Sequence, residues 1–330
     1  MSDFPQRYGV FLNVENPEGH ARDALEQTVR TAIAAEELGF HAAWVAEHHY
    51  SPFAIGSALT VLLSHIAACT STIRLGTGAS LLALNDPLRV AEDIASLDLL
   101  SGGRIEFGVA RGGPFPEQYR HAGIASADVA RERMHEALAL IQRLWNEPQT
   151  RFDGRFFHYE GVAVYPRPLQ RPVPVWLASL AGDSQRLAEQ HGYGLMATPS
   201  ADFGEVAEQV AAGRARRGDF PFAIARFFHC DEDSRRAVEH GVAAVRAYPR
   251  LMGVQFASGK LPPMFAPGAP EAVILANSII GTPEQCVARA KALCDRLGPT
   301  QLLLKPATHD PVEARASLAL FARAAGLAAA

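Results

Sequence analysis

The chain has 330 residues, 48% of them hydrophobic and 20% charged, enough apolar material for a large core, which excludes a disordered chain. A net charge of −4, a pI of about 6.3 and the absence of any Lys/Arg run exclude a nucleic-acid partner. No apolar run approaches the roughly 18 residues that a membrane helix needs, and MSDFPQRYGV lacks the charged-then-apolar order of a signal peptide, so the expected location is the cytoplasm.

Short β-rich runs alternate with amphipathic helices along the whole chain. RYGVFLNV from Arg7 reads as a strand, followed by a helix over about Asp23 to Leu38 with Leu25, Val29, Ile33 and Leu38 near one face; Gly39 ends it. AAWVAE from Ala42 is the second strand, and Leu59 to Ala68 its helix. IRLGTGASL from Ile73 is the third, and its helix runs from Pro87 to Leu100 with Asp86 as cap. RIEFGVARG from Arg104 is the fourth, with a helix over about Ala127 to Trp145.

Residues 150–172 are aromatic and Pro-rich and read as a hairpin with an extended arm. Strand PVWLAS starts at Pro174 with a helix from Asp183, strand YGLMATP at Tyr193 with a helix from about Phe203, and strand FAIARFFHC at Phe222 with a helix from Asp231. Residues 251–280 hold Pro, Gly and Met without a clean period. Thr282, Pro283 and Gln285 then spell a capping box, QLLLKP from Gln301 is the last strand, and an Ala-rich helix ends the chain.

Eight strand–helix units in this length predict an α/β fold of one domain over residues 1–330: a (β/α)8 barrel with an insertion, residues 251–280, before the last unit. The cysteines, Cys69, Cys230, Cys286 and Cys294, form no CxxC pair and read as reduced thiols. Cys286 and Cys294 fall two turns apart on one predicted helix, roughly 12 Å and too far for a disulfide.

A barrel of this kind places its chemistry at the C-terminal ends of the strands. After the second strand stand Glu47, His48 and His49; the pair is either a base or ligand set, or a helix cap beside a solvated ring. Asp86 could add a third ligand, but nothing completes a convincing metal set. After the third strand, Gly76-Thr77-Gly78-Ala79-Ser80 permits close approach to something flat, or tight barrel packing. Arg111, beside Gly112 and Gly113, suits an anion, as do Arg131 and Arg133 early in the next helix. The small-residue turn from Ala178 to Ser184 runs into a helix N-terminus, where free N–H groups and the dipole favour phosphate. No GxGxxG or GxxxxGK[ST] occurs. The residues alone therefore point to a phosphorylated ligand at a glycine-rich, cationic barrel mouth.

In the order ELGFHAAWVAEHHY, IRLGTGASLLALNDPLRVAED, LDLLSGGRIEFGVARG, PVPVWLAS and GTPEQC, the sequence resembles the bacterial-luciferase-like flavin-dependent monooxygenases over nearly its whole length. The resemblance implies a (β/α)8 barrel that binds FMN, usually as a homodimer. It implies that His48 is the active-site base, and that Gly78-Ala79 is a bulge, often a non-prolyl cis peptide, lying against the flavin ring with Ala110 nearby. Arg111 and Arg131 are the implied phosphate clamp, with Leu180, Ala181 and Ser184 supplying the helix-end contacts, and residues 251–280 are the implied mobile lid. The implied chemistry is oxygenation of a small organic substrate by reduced FMN and O2 through a C4a-peroxyflavin, with a separate NAD(P)H:flavin reductase as partner.

Two departures stand out. Ala110 occupies the place of a cysteine in the luciferase α chain, and Asp86 that of a further histidine, so light emission is not implied. The alternatives are a deazaflavin-dependent hydride-transfer enzyme, distinguished by its cofactor spectrum, and a non-catalytic flavin-binding protein, distinguished by O2 consumption. A metal-dependent hydrolase using His48, His49 and Asp86 is a third.

Overall fold

The computed structural model describes residues 7–113, 115–253 and 261–328. The first part of the chain gives β1 (Arg7–Leu12), α1 (Ala21–Glu37), β2 (Ala42–Val45), α2 (Leu59–Cys69), β3 (Arg74–Thr77), the short β4 (Ser80–Leu81) and α3 (Pro87–Leu100). Next come β5 (Ile105–Ala110), α4 (Pro116–His121), α5 (Ala127–Asn146), the hairpin β6 (Thr150–Asp153) and β7 (His158–Val162), β8 (Val175–Leu177), α6 (Gly182–His191) and β9 (Gly194–Ala197). The remainder is α7 (Phe203–Arg217), β10 (Phe222–Cys230), α8 (Ser234–Met252), a 3-10 turn (Pro263–Phe265), α9 (Glu271–Ala276), β11 (Ile279–Gly281), α10 (Pro283–Leu297), β12 (Gln301–Pro306) and α11 (Pro311–Ala324).

Eight of these strands close a parallel barrel in the order β1, β2, β3, β5, β8, β9, β10, β12, with β12 paired back to β1. Parallel pairing with a helix between strands puts every strand's C-terminal end on one face. The predicted (β/α)8 barrel is therefore the observed fold.

The barrel interior is filled rather than open. Trp44 is fully buried and meets Trp176 edge to face at 5.7 Å. Gly76 is glycine because a Cβ there would lie 2.1 Å from the Trp44 indole. Of the two readings of that glycine, barrel packing is the one the structure supports. At the N-terminal end, Glu106 accepts from Trp176 Nε1 at 2.6 Å and from Arg74.

Caps set the helix starts. Asp86, Ser126, Asp202, Asp233 and Asp310 each accept backbone N–H bonds at an N-terminus, and Thr282 with Gln285 forms the predicted capping box. The inner face of α1 differs from expectation. Its buried residues are Ala24, Thr28, Val29, Ala32, Ala34 and Ala35, while Leu25 is exposed. Small side chains let the helix lie close to the barrel, and a search for large apolar residues misses that stripe. The third predicted strand is split by its glycines into β3 and β4, and the short α4 and β11 lie outside the predicted elements.

Of the predicted insertion, residues 254–260 lie outside the described residues. Before them α8 continues to Met252; after them Met264 and Phe265 are buried, with Phe265 packed on Phe227 and Tyr248. The four cysteines are free thiols, and three of them are buried. No described helix is long and apolar enough to cross a membrane.

Candidate active site

The strand ends converge on a cavity of about 240 Å³. Phe11 and Asn13 come from the end of β1, Ala46, Glu47 and His48 from β2, and Gly78, Ala79 and Leu81 from the β3–β4 bulge. Ala110, Gly112 and Gly113 follow β5, Ala178 follows β8, and residues 196–200 follow β9. Tyr248, Pro249 and Met252 of α8, with Phe265, close one side. The Gly78–Ala79 peptide bond is cis. A Cβ on Gly78 would lie 3.0 Å from the Phe11 ring, so the backbone itself forms that wall. The lining is mostly apolar, with few polar groups, as in sites for small organic ligands.

His48 is the polar centre of this cavity. Its Nε2 lies 2.9 Å from Asn13 Oδ1, its backbone N–H donates to Gly56, and Phe115 meets the ring edge to face at 5.6 Å. Burial, with some help from His49, pushes the imidazole down to about 4, against an opposing pull from Glu15. His48 is therefore neutral at pH 7.

Its tautomer follows from the groups behind it. Asn13 Nδ2 donates to Glu15 Oε1 at 3.3 Å, to the Tyr248 hydroxyl at 3.2 Å and towards Met252 Sδ. Burial alone would raise the Glu15 carboxyl, but Lys305 at 2.8 Å and His309 at 3.2 Å outweigh it and hold the group at about 2. An ionised carboxylate can only accept, so the Asn13 amide nitrogen must face Glu15 and its oxygen must face His48. His48 then carries its proton on Nε2 and keeps the lone pair on Nδ1. Lys305 is itself buried against the Phe227 and Tyr248 rings.

Sequence reasoning missed Asn13, Glu15, Tyr248 and Lys305. The strand-end rule could have flagged Asn13 and Glu15, polar residues directly after β1. Tyr248 and Lys305 carry no such signal, because one lies late on a helix and the other inside an apolar strand.

Glu47 and His49 belong to a different task. The buried Glu47 carboxylate accepts from Leu81 N–H at 3.2 Å, Asn85 Nδ2 at 3.0 Å and His49 Nε2 at 2.9 Å. It pins the loop that carries Gly78 and Ala79 to the end of β2. Asp86 is occupied as the α3 cap. Among the described residues, His48, His49 and Asp86 form no metal-ligand cluster.

The residues expected to bind phosphate gather beside the cavity rather than in its lining. Arg111 donates to the carbonyl of Ala127 at 3.1 Å, tying the end of β5 to the start of α5. Arg131, in the second turn of α5, pairs with Asp128 at 2.9 Å and with Asp183 at 3.4 Å. Asp183 lies in the first turn of α6, after Leu180 and Ala181, so Arg131 faces that helix N-terminus. Ser184 Oγ is buried there with no hydrogen-bond partner among the described residues, as is His135 Nε2. Two cationic side chains, a helix N-terminus and an unpartnered hydroxyl fit an anionic group, and the Asp183 carboxylate now lies where such a group would pair with Arg131. Arg133 is directed elsewhere, donating to Ala83 and covering Phe157.

The sequence profile of the luciferase-like monooxygenases matches residues 6–301. The chain belongs to that family. Among relatives of this family member, the oxygenase component of a flavin-dependent trigonelline monooxygenase from Acinetobacter baylyi is 29% identical over 196 residues, 58% of this chain and 54% of the relative. The chain thus spans about half the length of that relative. Limonene 1,2-monooxygenase of Rhodococcus erythropolis is 25% identical over 88% of this chain and 78% of its own. An F420-dependent glucose-6-phosphate dehydrogenase of Kineococcus radiotolerans is 28% identical over 63% of this chain and 65% of its own. The crystal structure of a monooxygenase from Streptomyces bottropensis superposes with a TM-score of 0.86, at 25% identity and covering 96% of this chain and 98% of that one.

Proposed function

We propose that this chain is the oxygenase of a flavin-dependent monooxygenase, binding reduced FMN at the barrel mouth and oxygenating a small organic substrate. The observation that carries the reading is one apolar, backbone-lined slot holding a single neutral imidazole, His48, with Arg111, Arg131 and the N-terminus of α6 beside it. Reduced FMN would deliver two electrons to O2, one oxygen atom entering the substrate and the other leaving as water.

The chain's own part is to bind, orient and exclude water. Gly78, Ala79 and Ala110 would face the flavin ring. Arg111, Arg131, Leu180, Ala181 and Ser184 would hold the phosphate. Phe11, Phe115, Met252 and Phe265 keep water from the reacting atoms. His48 Nδ1, held free by the Asn13 bond, would take or return a proton at the substrate. The relative named as an oxygenase component favours a separate reductase as supplier of reduced flavin. A homodimer fits the apolar groove between α1 and α2, where Val61 is 70% exposed.

A second reading, hydride transfer with a deazaflavin, is favoured by the F420-dependent relative. Binding and turnover separate the two. The purified chain should bind FMN and consume O2 when reduced FMN and substrate are supplied. Binding of F420 with no affinity for FMN would overturn the proposal, and FMN binding without O2 consumption would leave a flavin carrier.

A further inference from the structure

Away from the flavin cavity, β10, α8 and α11 bring together His229, His240 and Glu313. Glu313 Oε1 lies 3.6 Å from His229 Nε2 and 2.9 Å from His240 Nδ1, and the three donor atoms all fall within 4.8 Å of one another. Gly241 allows this approach, because a Cβ there would stand 3.1 Å from His229 Cβ.

His229 is the unexplained member. Its side chain is 1% exposed, yet neither ring nitrogen has a hydrogen-bond partner among the described residues. Its distance to Glu313 is too long for a hydrogen bond. Buried polar atoms are rarely left so, and an orphaned pair on one ring calls for a ligand.

We propose that His229, His240 and Glu313 bind one divalent transition-metal ion, with zinc the best match to the donor set. Two imidazole nitrogens and one carboxylate oxygen at about 2.0–2.2 Å make a three-ligand zinc site with its fourth position open. Donors around such an ion stand roughly 3.4 Å apart, between the two separations measured here. Thr308 Oγ1 donates to the other Glu313 oxygen and fixes the carboxylate's orientation. His240 is half exposed, which gives the ion a way in. The ion would join α8 to α11 and β10. Tyr248, which lines the flavin cavity, lies two turns further along α8 from His240, about 12 Å away. The metal is thus a clamp at the foot of that wall.

The test uses the full chain, free of any polyhistidine tag and stripped of metal by chelation. Calorimetric titration with zinc chloride should show one ion per chain with Kd at or below about 1 µM. His240→Ala and Glu313→Gln should each weaken it at least tenfold. Cobalt(II) added to the wild type should give the visible bands of a four-coordinate ion, lost in both variants. Equal zinc binding by the wild type and the double variant would overturn the site. So would the absence of four-coordinate cobalt bands in the wild type, whatever the variants' stability.

Discussion

Asn13 Oδ1 lies 2.9 Å from His48 Nε2, and Asn13's amide nitrogen faces the ionised Glu15. The asparagine thereby transmits a fixed charge as a fixed tautomer. Because burial holds His48 at about 4, activity should persist through neutral pH and fall along an acid limb near 4. Asn13→Asp places a carboxylate against Nε2 and should raise that limb by about one to three pH units. The pH profile of kcat/KM measures it, and a limb unmoved by Asn13→Asp would disconnect the two residues.

His48→Ala should retain flavin binding and lose about 10²–10⁴ in turnover, the usual range for a lost acid–base group. His49→Ala should lose less, since its ring is bonded to Glu47 outside the reacting space. Steady-state kinetics beside flavin titration separates the two effects, and normal turnover in His48→Ala would remove it as the base.

If Arg131 clamps the phosphate, FMN should bind at least tenfold more tightly than riboflavin, since a charged hydrogen bond contributes about 1.5–3 kcal/mol. Arg131→Ala should erase that margin while leaving riboflavin affinity unchanged. Asp183→Asn removes the carboxylate that now pairs with Arg131 and should tighten FMN about two- to fivefold. Fluorescence quenching by each ligand reports these affinities. Equal affinity for FMN and riboflavin in the wild type would remove the clamp.

Glu15 gives a stability signature. Its carboxyl drops from 4.5 to about 2 on folding. The unfolded chain therefore binds more protons between those values, and stability falls as pH falls through that window. The contribution is complete above pH 4.5 and amounts to about 3 kcal/mol. Glu15→Gln should flatten urea-unfolding stability against pH over this range. It should also cost about 3–5 kcal/mol at pH 7, because Lys305 is left buried without its carboxylate.

The sequence made the barrel legible because alternation of strand and helix survives without knowledge of contacts, and caps such as Asp86 and Thr282 mark helix starts locally. The strand-end rule marked the stretches around His48 and Gly78 as places to look, but the choice of His48 over His49 and the bulge at Gly78–Ala79 came from the family resemblance, because position alone does not tell a base from a cap or a bulge from tight packing. Lys305 was not, because a buried cation inside LLLKP looks like a strand end until Glu15 is seen beside it. The His229–His240–Glu313 cluster was equally hidden, since its members lie on three elements with no shared spacing.

Glu47 is expected to matter as a fastener rather than as chemistry. Its carboxylate satisfies the Leu81 N–H and the Asn85 amide while holding His49, and all of this sits behind the cis Gly78–Ala79 bond. Glu47→Ala leaves the buried Leu81 N–H unpaired, at a cost of about 1–3 kcal/mol, and frees the bulge to shift. Flavin affinity should fall with stability, whereas the acid limb set by His48 should stay near its wild-type position, because Asn13 and Glu15 are untouched. Glu47→Gln keeps one acceptor for Leu81 but turns its amide donors towards His49 or Asn85, so it should recover only part of the loss. Thermal melts, FMN titration and the pH profile of the same two variants check this. A moved acid limb with unchanged flavin affinity would place Glu47 in the proton relay instead.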